Sequence, residues 1–363
     1  MIGVRGVPAE YGGFETCAEQ VGARLAALGH EVTVYCRSNH YPRRPPRHRG
    51  IRLRYLPAHR GKHSETLSHT ALAAVAARNA DAIVCFGVGN SPIVRAMQVA
   101  GRRVVFNIDG SDWKRPKWGS VAAAYLRVSE VLAAHSRSVL VADSRAVQAH
   151  FQERFNRDSE FIPYGAEPPA DHGTETLLQF GLSPGAYILF VGRLEPENGA
   201  HDVVAASAEA GLGIPAVIVG DATYPGRYIT DLHATAPAGT VFTGYQFGAA
   251  YQQLTAHAAL FVLAAQVGGT HPVLVEQMAA GNCIVARDTA SNREVLGDAG
   301  VWWDEPAELP GLLSDLIRDA RRREQLGQAA RQRQLDRYDW DRVTAQYQRL
   351  CQAVTTSALD IGA

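Results

Sequence analysis

The sequence predicts an α/β protein made of two doubly wound domains in tandem. Short runs rich in β-branched residues alternate with longer helical runs, which is the pattern of parallel sheets covered by helices. The 363 residues suffice for two domains. Residues 1–165 contain 23 Lys and Arg against 13 Asp and Glu, and residues 166–363 contain 13 against 23. This asymmetry, with a loop rich in Pro, Ala and Gly at Glu167–Thr174, predicts domains at 1–165 and 166–363.

The first domain is predicted from a set of short apolar strands. A helix over Glu15–Leu28 separates the first two strands and ends at Gly29, a residue typical of helix C-termini. Because the first strand begins almost at Met1, we expect the natural start to lie a few residues upstream. The predicted strands are Ile2–Arg5, Glu31–Cys36, Ile51–Leu56, Ala82–Phe86, Val104–Ile108 and Val139–Ala142.

The second domain repeats the pattern after the loop. Its strands are again separated by stretches long enough for a crossover helix, so a second parallel sheet is expected. The predicted strands are Tyr187–Val191, Ala216–Val219, Val241–Thr243, Leu260–Leu263, Cys283–Ala286 and Val301–Trp303.

Composition excludes several classes of protein. The formal net charge is zero, which argues against a dedicated nucleic-acid binder. No apolar run reaches the roughly 18 residues of a membrane span, and no signal peptide is recognisable, so we expect a cytoplasmic protein. The five cysteines have no close pairs and indicate neither a disulfide framework nor a zinc site.

The first candidate binding motif is Arg5–Thr16, RGVPAEYGGFET. Gly12 and Gly13 precede a helix, where a glycine backbone and free N–H groups suit phosphate or sugar oxygens. An ordinary tight turn would also explain the two glycines.

The second motif is Val191–Asn198, VGRLEPEN, in which Arg193 follows a strand and precedes a helix. An arginine at the carboxyl end of a strand can hold a diphosphate through paired charge-assisted hydrogen bonds. The alternative is a surface ion pair.

The third motif, Gly268–Gly281, is the most specific of the three. It combines a Gly-Gly-Thr loop, Pro272 at a predicted first helical position, and Glu276 one turn further on. The helix N-terminus would stabilise a departing nucleoside diphosphate, and a carboxylate can accept both hydroxyls of a ribose. The alternative is an ordinary capped amphipathic helix.

These motifs give the chain a resemblance to family 4 glycosyltransferases of the GT-B fold. Within that family it resembles the bacterial rhamnosyltransferase-like branch that opens with a YGGFET sequence. The resemblance implies two Rossmann-like doubly wound domains facing a central cleft. It spans nearly the whole chain and also rests on Asn107–Trp118, Ala142–Ser144, Phe242–Phe247 and Asp288–Gly300.

The resemblance implies a donor site in the second domain and an acceptor site in the first. Arg193 would bind the diphosphate, Tyr245 would lie along the base, and Glu276 would hold the ribose. It also implies that the final helix, about residues 338–354, crosses back to the first domain. The remaining donor contacts that it implies are Gly12, Gly13, Gly244, Gly269, Thr270, His271 and Val273.

Two departures from the family pattern affect the donor site. The family commonly carries two glutamates, and the earlier one is replaced by Gly268 here. The lysine often found five residues after the arginine is Asn198, and the three lysines of the chain are Lys62, Lys114 and Lys117. Phosphate charge in the second domain must then be met by Arg193 and helix-end N–H groups.

The implied reaction is transfer of a hexose or deoxyhexose, with rhamnose favoured, from a dTDP- or UDP-sugar with retention at the anomeric carbon. No cofactor and no metal are expected, although Asp109 and Asp112 could in principle hold Mg²⁺. Asp109 is a candidate for orienting acceptor or sugar, or else a turn residue. The alternatives are a GT-B sugar-nucleotide epimerase and a non-catalytic sugar-nucleotide-binding protein.

The basic first half also suggests an anionic partner such as a membrane carrying a lipid-linked sugar acceptor. Trp113–Trp118, WKRPKW, places three cations between two tryptophans, a combination suited to a lipid headgroup layer. A solvated basic face with two core tryptophans would give the same sequence. The acceptor is therefore expected to be a sugar or a lipid-linked sugar.

Overall fold

The computed structural model describes residues 1–9, 12–61, 64–108, 120–222, 226–266 and 270–356. The chain forms two compact units, Met1–Tyr164 with the segment from Trp340 onward, and Gly165–Asp339. Asp109, Gly268, Gly269 and the WKRPKW segment lie outside the described residues.

The first unit is an α/β layer structure with short strands. Its strands are β1 Thr33–Arg37, β2 Arg47–His48, β3 Ile51–Leu56, β4 Ile83–Phe86, β5 Val104–Asn107, β6 Val139–Ala142 and β7 Glu160–Phe161. Its first five helices are α1 Gly13–Ala27, α2 Glu65–Ala76, α3 Ser91–Val99, α4 Ser120–Ala134 and α5 Arg145–Phe155. The strands are ordered β1-β3-β2 and β4-β5-β6-β7, and every pair except β2 with β3 is parallel.

The first residues of the chain lie between these two groups of strands. Met1 bonds to β1, since its amine donates to the Thr33 carbonyl at 2.7 Å, and Ile2 N–H donates to the Val84 carbonyl in β4 at 2.9 Å. The predicted strand Ile2–Arg5 is nevertheless wrong as a regular strand, because it is reduced to a single bridge from Ile2 to Cys85. Gly3 has φ +89°, and a Cβ there would lie 2.4 Å from the Phe86 carbonyl oxygen.

The second unit contains a six-stranded, fully parallel sheet. Its strands are β8 Ile188–Val191, β9 Ala216–Val219, β10 Val241–Gly244, β11 Leu260–Leu263, β12 Ile284–Arg287 and β13 Val301–Trp303. Its helices are α6 Glu175–Gln179, α7 Ala200–Ala210, α8 Arg227–Thr235, α9 Gly248–Ala256, α10 Pro272–Ala280, α11 Ala290–Leu296, α12 Leu309–Arg318 and α13 Ala320–Arg337. The strand order is β10-β9-β8-β11-β12-β13, so the direction of winding reverses between β8 and β11.

Both faces of the second sheet are buried, which explains why its strands are continuous apolar runs in the sequence. Leu189 and Phe261 belong to the core on one face, and Ile188 and Val262 belong to the core on the other. Side chains along a strand alternate between faces, so each strand contributes to both cores. The sheet is therefore a rigid platform for the loops at its carboxyl edge.

The last helix, α14 (Trp340–Thr356), belongs to the first unit. It packs against α1 and buries Trp340, Val343 and Tyr347 in the core that α1 also lines. The Tyr347 hydroxyl accepts a hydrogen bond from the Asn107 side-chain amide at 2.8 Å, at the end of β5. The first unit thus needs a segment that follows the entire second unit in sequence.

All five cysteines are unpaired. Burial raises the pKa of Cys17 and Cys85 to about 12 and that of Cys36, Cys283 and Cys351 to about 11. The thiols are protonated at neutral pH and behave as small apolar side chains.

Candidate functional site

Arg193 lies in the loop that follows β8, at the point where the winding of the second sheet reverses. Ligands of open α/β sheets bind at the carboxyl ends of the strands beside such a reversal. Its guanidinium is one-third exposed and lies 3.4 Å from a Glu195 carboxylate oxygen. The Asn198 side-chain amide donates to the Arg193 carbonyl at 2.8 Å, which fixes the backbone of the loop and leaves the guanidinium at its surface.

The loops after β8 and β11 are bonded directly to each other. The Gln266 N–H donates to the Glu197 carbonyl at 3.0 Å. Gly199, with φ +71°, approaches Ala264 so closely that a Cβ there would lie 2.7 Å from the Ala264 carbonyl oxygen. Since β8 and β11 are neighbouring strands, the loop that carries Arg193 and the first residues after β11 form one surface.

Helix α10 is the element that follows β11. Its N-cap residue, His271, has extended backbone and makes no side-chain cap, and Pro272 occupies the first helical position, as the sequence predicts. Thr270 is buried, while His271 and Val273 are half-buried. A helix start without a side-chain cap has N–H groups and a partial positive charge available for an anion.

Glu276 lies one turn into α10. Its carboxylate is half-buried and accepts a hydrogen bond from the Tyr251 hydroxyl at 2.5 Å. Burial raises the pKa of Glu276, and the hydrogen bond from Tyr251 opposes that shift. The carboxylate is held in one orientation by a neutral donor rather than by a cation.

Two aromatic rings follow β10 at the same edge of the sheet. The rings of Tyr245 and Phe247 are stacked, with centroids 6.1 Å apart, and about half of each side chain is exposed. The Tyr245 hydroxyl donates to the Asp221 carbonyl at 2.9 Å, which ties the loops after β10 and β9. Exposed stacked rings offer a flat apolar surface of the kind that binds a planar ligand.

Glycine allows the backbone after β9 to pass close to the backbone after β8. Gly220 has φ +136°, and a Cβ there would lie 1.9 Å from the Gly192 carbonyl oxygen. The Gly220 N–H donates to the Gly244 carbonyl at 2.9 Å. The carboxyl ends of β8, β9 and β10 are therefore packed backbone to backbone, without side chains between them at these glycines.

In the first unit, Gly12 and Gly13 begin α1. Gly12 is an N-cap with extended backbone and no side-chain cap, and Gly13 is the first helical residue. Two carboxylates of α1 hold the preceding loop, because Glu15 accepts from the Arg5 N–H and Glu19 from the Ala9 N–H, each at 2.7 Å. Glu15 is buried, and this burial raises its pKa.

The structure thus assembles Arg193, Gly244, Tyr245, Thr270, His271, Val273 and Glu276 at one edge of the second sheet. Tyr251, Phe247 and Glu15 were not among the site residues predicted from the sequence. Phe247 has a detectable signal, because it follows Tyr245 by two residues in the same polar loop. Tyr251 has none, since its contact with Glu276 spans 25 residues and depends on the packing of α9 against α10.

Within the described ranges, no group of three or more His, Cys, Asp or Glu side chains could hold a metal ion. Nor does the described part of the chain contain a helix long and apolar enough to cross a membrane.

Two family models match the sequence, one on each unit. A model described as a glycosyl transferase 4-like domain matches residues 12–165. A second model, glycosyl transferases group 1, matches residues 181–333. No curated protein matches the sequence.

The fold is similar to solved glycosyltransferase structures. Anabaena Alr3699/HepE in complex with UDP-glucose superimposes with a TM-score of 0.77 at 20% identity, over 96% of this chain and 97% of that chain. Sucrose-phosphate synthase from Thermosynechococcus elongatus gives 0.77 at 18% identity, over 95% and 94%. WaaG, a glycosyltransferase involved in lipopolysaccharide biosynthesis, gives 0.73 at 16% identity, over 97% and 98%.

At these identities the neighbours establish the architecture, which is GT-B, and the family models establish the class of enzyme. The two models together span most of the sequence, so the chain belongs to the glycosyltransferases that combine a glycosyl transferase 4-like domain with a group 1 domain.

Proposed function

We propose that the chain is a retaining glycosyltransferase that moves a hexose or deoxyhexose, with rhamnose favoured, from a nucleoside diphosphate to an acceptor hydroxyl. The pathway would be polysaccharide or glycoconjugate assembly. The observation that carries the proposal is the placement of Arg193 and the start of α10 on the linked loops after β8 and β11. One cation and one helix N-terminus at a winding reversal suit a diphosphate.

The proposed donor contacts follow from this placement. Arg193 and the N–H groups at the start of α10 bind the diphosphate, and the carboxylate of Glu276 accepts the ribose hydroxyls. Tyr245 and Phe247 lie along the base, and Thr270, His271 and Val273 surround the phosphates and sugar. The Anabaena neighbour was solved with UDP-glucose, which supports a nucleotide sugar as the ligand of this fold.

In the proposed reaction the acceptor oxygen forms a bond to the anomeric carbon on the face from which the diphosphate leaves. The bond from that carbon to the diphosphate oxygen breaks, and the acceptor proton passes to the departing phosphate. Arg193 and the start of α10 stabilise the negative charge that develops on the leaving group. No metal takes part in this scheme, so we expect activity to persist in EDTA.

Donor binding is the direct test. A ligand at 100 times its Kd stabilises a protein by about 2.7 kcal/mol, which corresponds to about 5–10 °C in Tm for a unit of this size. We expect dTDP-rhamnose or UDP-glucose to raise Tm by that amount, and the same donor with acceptor to yield nucleoside diphosphate and glycoside. If no nucleotide sugar raised Tm, the assigned site would be wrong.

The same assay separates the alternatives. An epimerase would convert the donor sugar when no acceptor is present, and a binding protein would shift in Tm without any turnover. The glutamate replaced by Gly268 favours the binding protein, and donor turnover would decide against it.

We also propose that the first unit contacts an anionic membrane that carries a lipid-linked acceptor. Helices α2, α3 and α4 are neighbours on one face of that unit. Each presents exposed apolar side chains, which include Val75 at 67%, Val99 at 89% and Val121 at 83% exposure. The basic excess of residues 1–165 complements an anionic bilayer rather than a neutral one.

A further inference from the structure

The contact between Tyr251 and Glu276 is the least buried part of a larger polar cluster beneath the proposed donor site. Tyr251 and Thr255 lie one turn apart on α9, Gln277 is the next residue after Glu276 on α10, and Asn282 follows that helix. Gln277 is fully buried, and Thr255 and Asn282 are nearly so. Buried polar groups of this kind destabilise the fold unless they are hydrogen-bonded.

A chain of hydrogen bonds leads from Asn282 through Gln277 to the Tyr251 hydroxyl. The Asn282 amide donates to Gln277 Oε1 at 2.6 Å and to the Thr255 carbonyl at 2.9 Å. The Gln277 amide, held in this way, donates to Thr255 Oγ1 at 3.3 Å and to the Tyr251 hydroxyl oxygen at 3.5 Å. Because the hydroxyl oxygen receives the Gln277 amide, its proton is directed to Glu276.

The protonation states agree with this arrangement. Burial raises the pKa of Tyr251 well above its usual value, so the phenol remains a donor. Burial alone would favour a protonated Glu276, and the hydrogen bond from Tyr251 lowers the pKa of that carboxyl in opposition. A carboxylate that must accept two ribose hydroxyls has to be ionised, since a protonated carboxyl offers fewer acceptor sites.

We propose that Tyr251 is a positioning residue for donor recognition, whose hydroxyl fixes the rotamer of Glu276 and favours its ionised form, and that Gln277 and Asn282 orient that hydroxyl. The proposal rests on the assignment of Glu276 to the donor. Tyr251 itself touches Glu276 rather than the ligand.

Two arginines on the helices around α10 are engaged elsewhere. The elements that pack against it are α9, α11 and α13. On α11, Arg293 pairs with Asp288, and on α13, Arg333 donates to the carbonyls of Glu294 and Val295. Burial and the hydrogen bond from Tyr251 are the causes of the Glu276 shift, so the pH response of this carboxylate is set by its burial and by α9.

The test measures the Kd of UDP-glucose, and of dTDP-rhamnose, by calorimetry between pH 5 and pH 9 for the full chain. For Tyr251→Phe we expect binding at neutral pH to weaken about threefold to tenfold. Because removal of the hydroxyl lets the pKa of Glu276 rise further, the loss of affinity at acid pH should begin at a higher pH than in the wild type. Gln277→Met removes the amide that orients the Tyr251 hydroxyl. It should also move the loss of donor affinity to higher pH, by less than Tyr251→Phe does, and it replaces Tyr251→Phe as the test variant if that protein does not fold.

Tyr187→Phe is the matched control. It also deletes one buried phenol hydroxyl in the second unit, which donates to the Leu254 carbonyl of α9 at 2.6 Å without touching Glu276. We expect it to lower Tm and leave the pH profile of donor binding unchanged. If Tyr251→Phe behaved like this control, or like the wild type, the positioning role would be disproved.

Glu276→Gln separates this proposal from the assignment on which it rests. Glutamine does not titrate, so the acid limb of the binding profile should vanish in this variant, and Tyr251→Phe should cause no shift in that background. Unchanged donor affinity in Glu276→Gln would overturn the donor assignment itself. Weak binding by Glu276→Gln with a normal profile in Tyr251→Phe would overturn the positioning role alone.

Discussion

Asn198 shows how one side chain can fix a binding loop without supplying charge to it. The resemblance to family 4 glycosyltransferases implies a lysine at this position, and here the Asn198 amide donates to the carbonyl of Arg193. This hydrogen bond fixes the backbone of the loop, and the guanidinium of Arg193 is the cation at its surface. Charge recognition on the β8 side of the proposed site consequently rests on a single guanidinium, whose carboxylate neighbour at 3.4 Å is a weak competitor.

We therefore predict that Arg193→Ala and Glu276→Gln each lower kcat/KM for the preferred donor about 10- to 100-fold. A hydrogen bond to a charged group contributes about 1.5–3 kcal/mol, and each 1.4 kcal/mol is a factor of ten in rate. Steady-state kinetics with both variants measure the loss. Arg227→Ala is the control, because its exposed pair with Asp231 lies on α8 and should leave kcat/KM unchanged. Wild-type kcat/KM in either site variant would contradict the assignment.

The sequence predicts where Arg193 and Glu276 lie, and their roles in donor binding stay predictions. Arg193 and Glu276 stand at fixed distances from a strand end and a helix start, and those elements are evident in the pattern. Tyr251 and Asn282 could not be found in this way, because their roles depend on how α9 and α10 pack. Glu15 was missed for a related reason, since a carboxylate in a first helical turn usually caps its own helix, whereas this one bonds to Arg5.

At the scale of elements, strands buried on both faces were predicted to within two residues. Two-residue strands such as β2 and β7 have too short a pattern to detect. The irregular course of Met1–Arg5 was missed because a glycine inside an apolar run does not reveal whether its φ is positive. Gly3 and the close approach of Phe86 decide that question.

Two glycines in the last helices of the second unit should respond to alanine with opposite signs. Alanine in a helix is favoured over glycine by about 0.5–1 kcal/mol. Gly327 in α13 has no room for it, because a Cβ would lie 2.0 Å from the Gly281 carbonyl oxygen. Gly311 in α12 has open space around it. We expect Gly327→Ala to lower the free energy of unfolding by about 1–3 kcal/mol and Gly311→Ala to raise it by about 0.5 kcal/mol.

Urea unfolding of the two variants beside the wild type measures both effects. A Gly327→Ala protein as stable as the wild type would contradict the close approach of α13 to the Gly281 carbonyl at the end of α10.

Three helices of the first unit, α2, α3 and α4, expose apolar side chains that could contact a membrane. Partial exposure of apolar side chains on α2, α3 and α4 and about 1 kcal/mol for each cation near an anionic surface predict binding to vesicles that contain phosphatidylserine, weaker in high salt. Replacing Lys114, Arg115 and Lys117 together by Gln should weaken it further, and Val121→Ser with Val128→Ser should do so independently of salt. Equal retention of wild type and variants on anionic and neutral vesicles would exclude the membrane and point to a soluble acceptor.

At the scale of the whole molecule, the chain passes between its units twice. It enters the second unit at Gly165 and leaves it at Asp339, and these points are adjacent, because the Ala166 N–H donates to the Tyr338 carbonyl at 2.9 Å and Ala166 pairs with Asp339. The sequence places a boundary near 165, but only a resemblance indicated where the last helix packs. The sequence pattern of an amphipathic helix does not indicate which core will bury its apolar face.

This double passage predicts that the two units differ in their ability to fold alone. Residues 165–339 are contiguous and contain both cores of their sheet. Residues 1–164 lack Trp340, Val343 and Tyr347, all nearly fully buried in the first unit. Each such side chain stabilises by about 1.5–3 kcal/mol, so their combined loss is comparable to the 5–15 kcal/mol that stabilises a typical domain.

We expect the fragment 165–339 to melt in one cooperative transition and the fragment 1–164 to show none. Adding a peptide of residues 340–356 to fragment 1–164 should restore a cooperative transition. Helix α14 supplies the missing side chains and the Tyr347 hydroxyl that pairs with Asn107. A peptide with Tyr347→Ala should restore it poorly. Circular dichroism melts with and without the peptides measure the outcome, and a cooperative melt of fragment 1–164 alone would show that α14 is dispensable for the first unit.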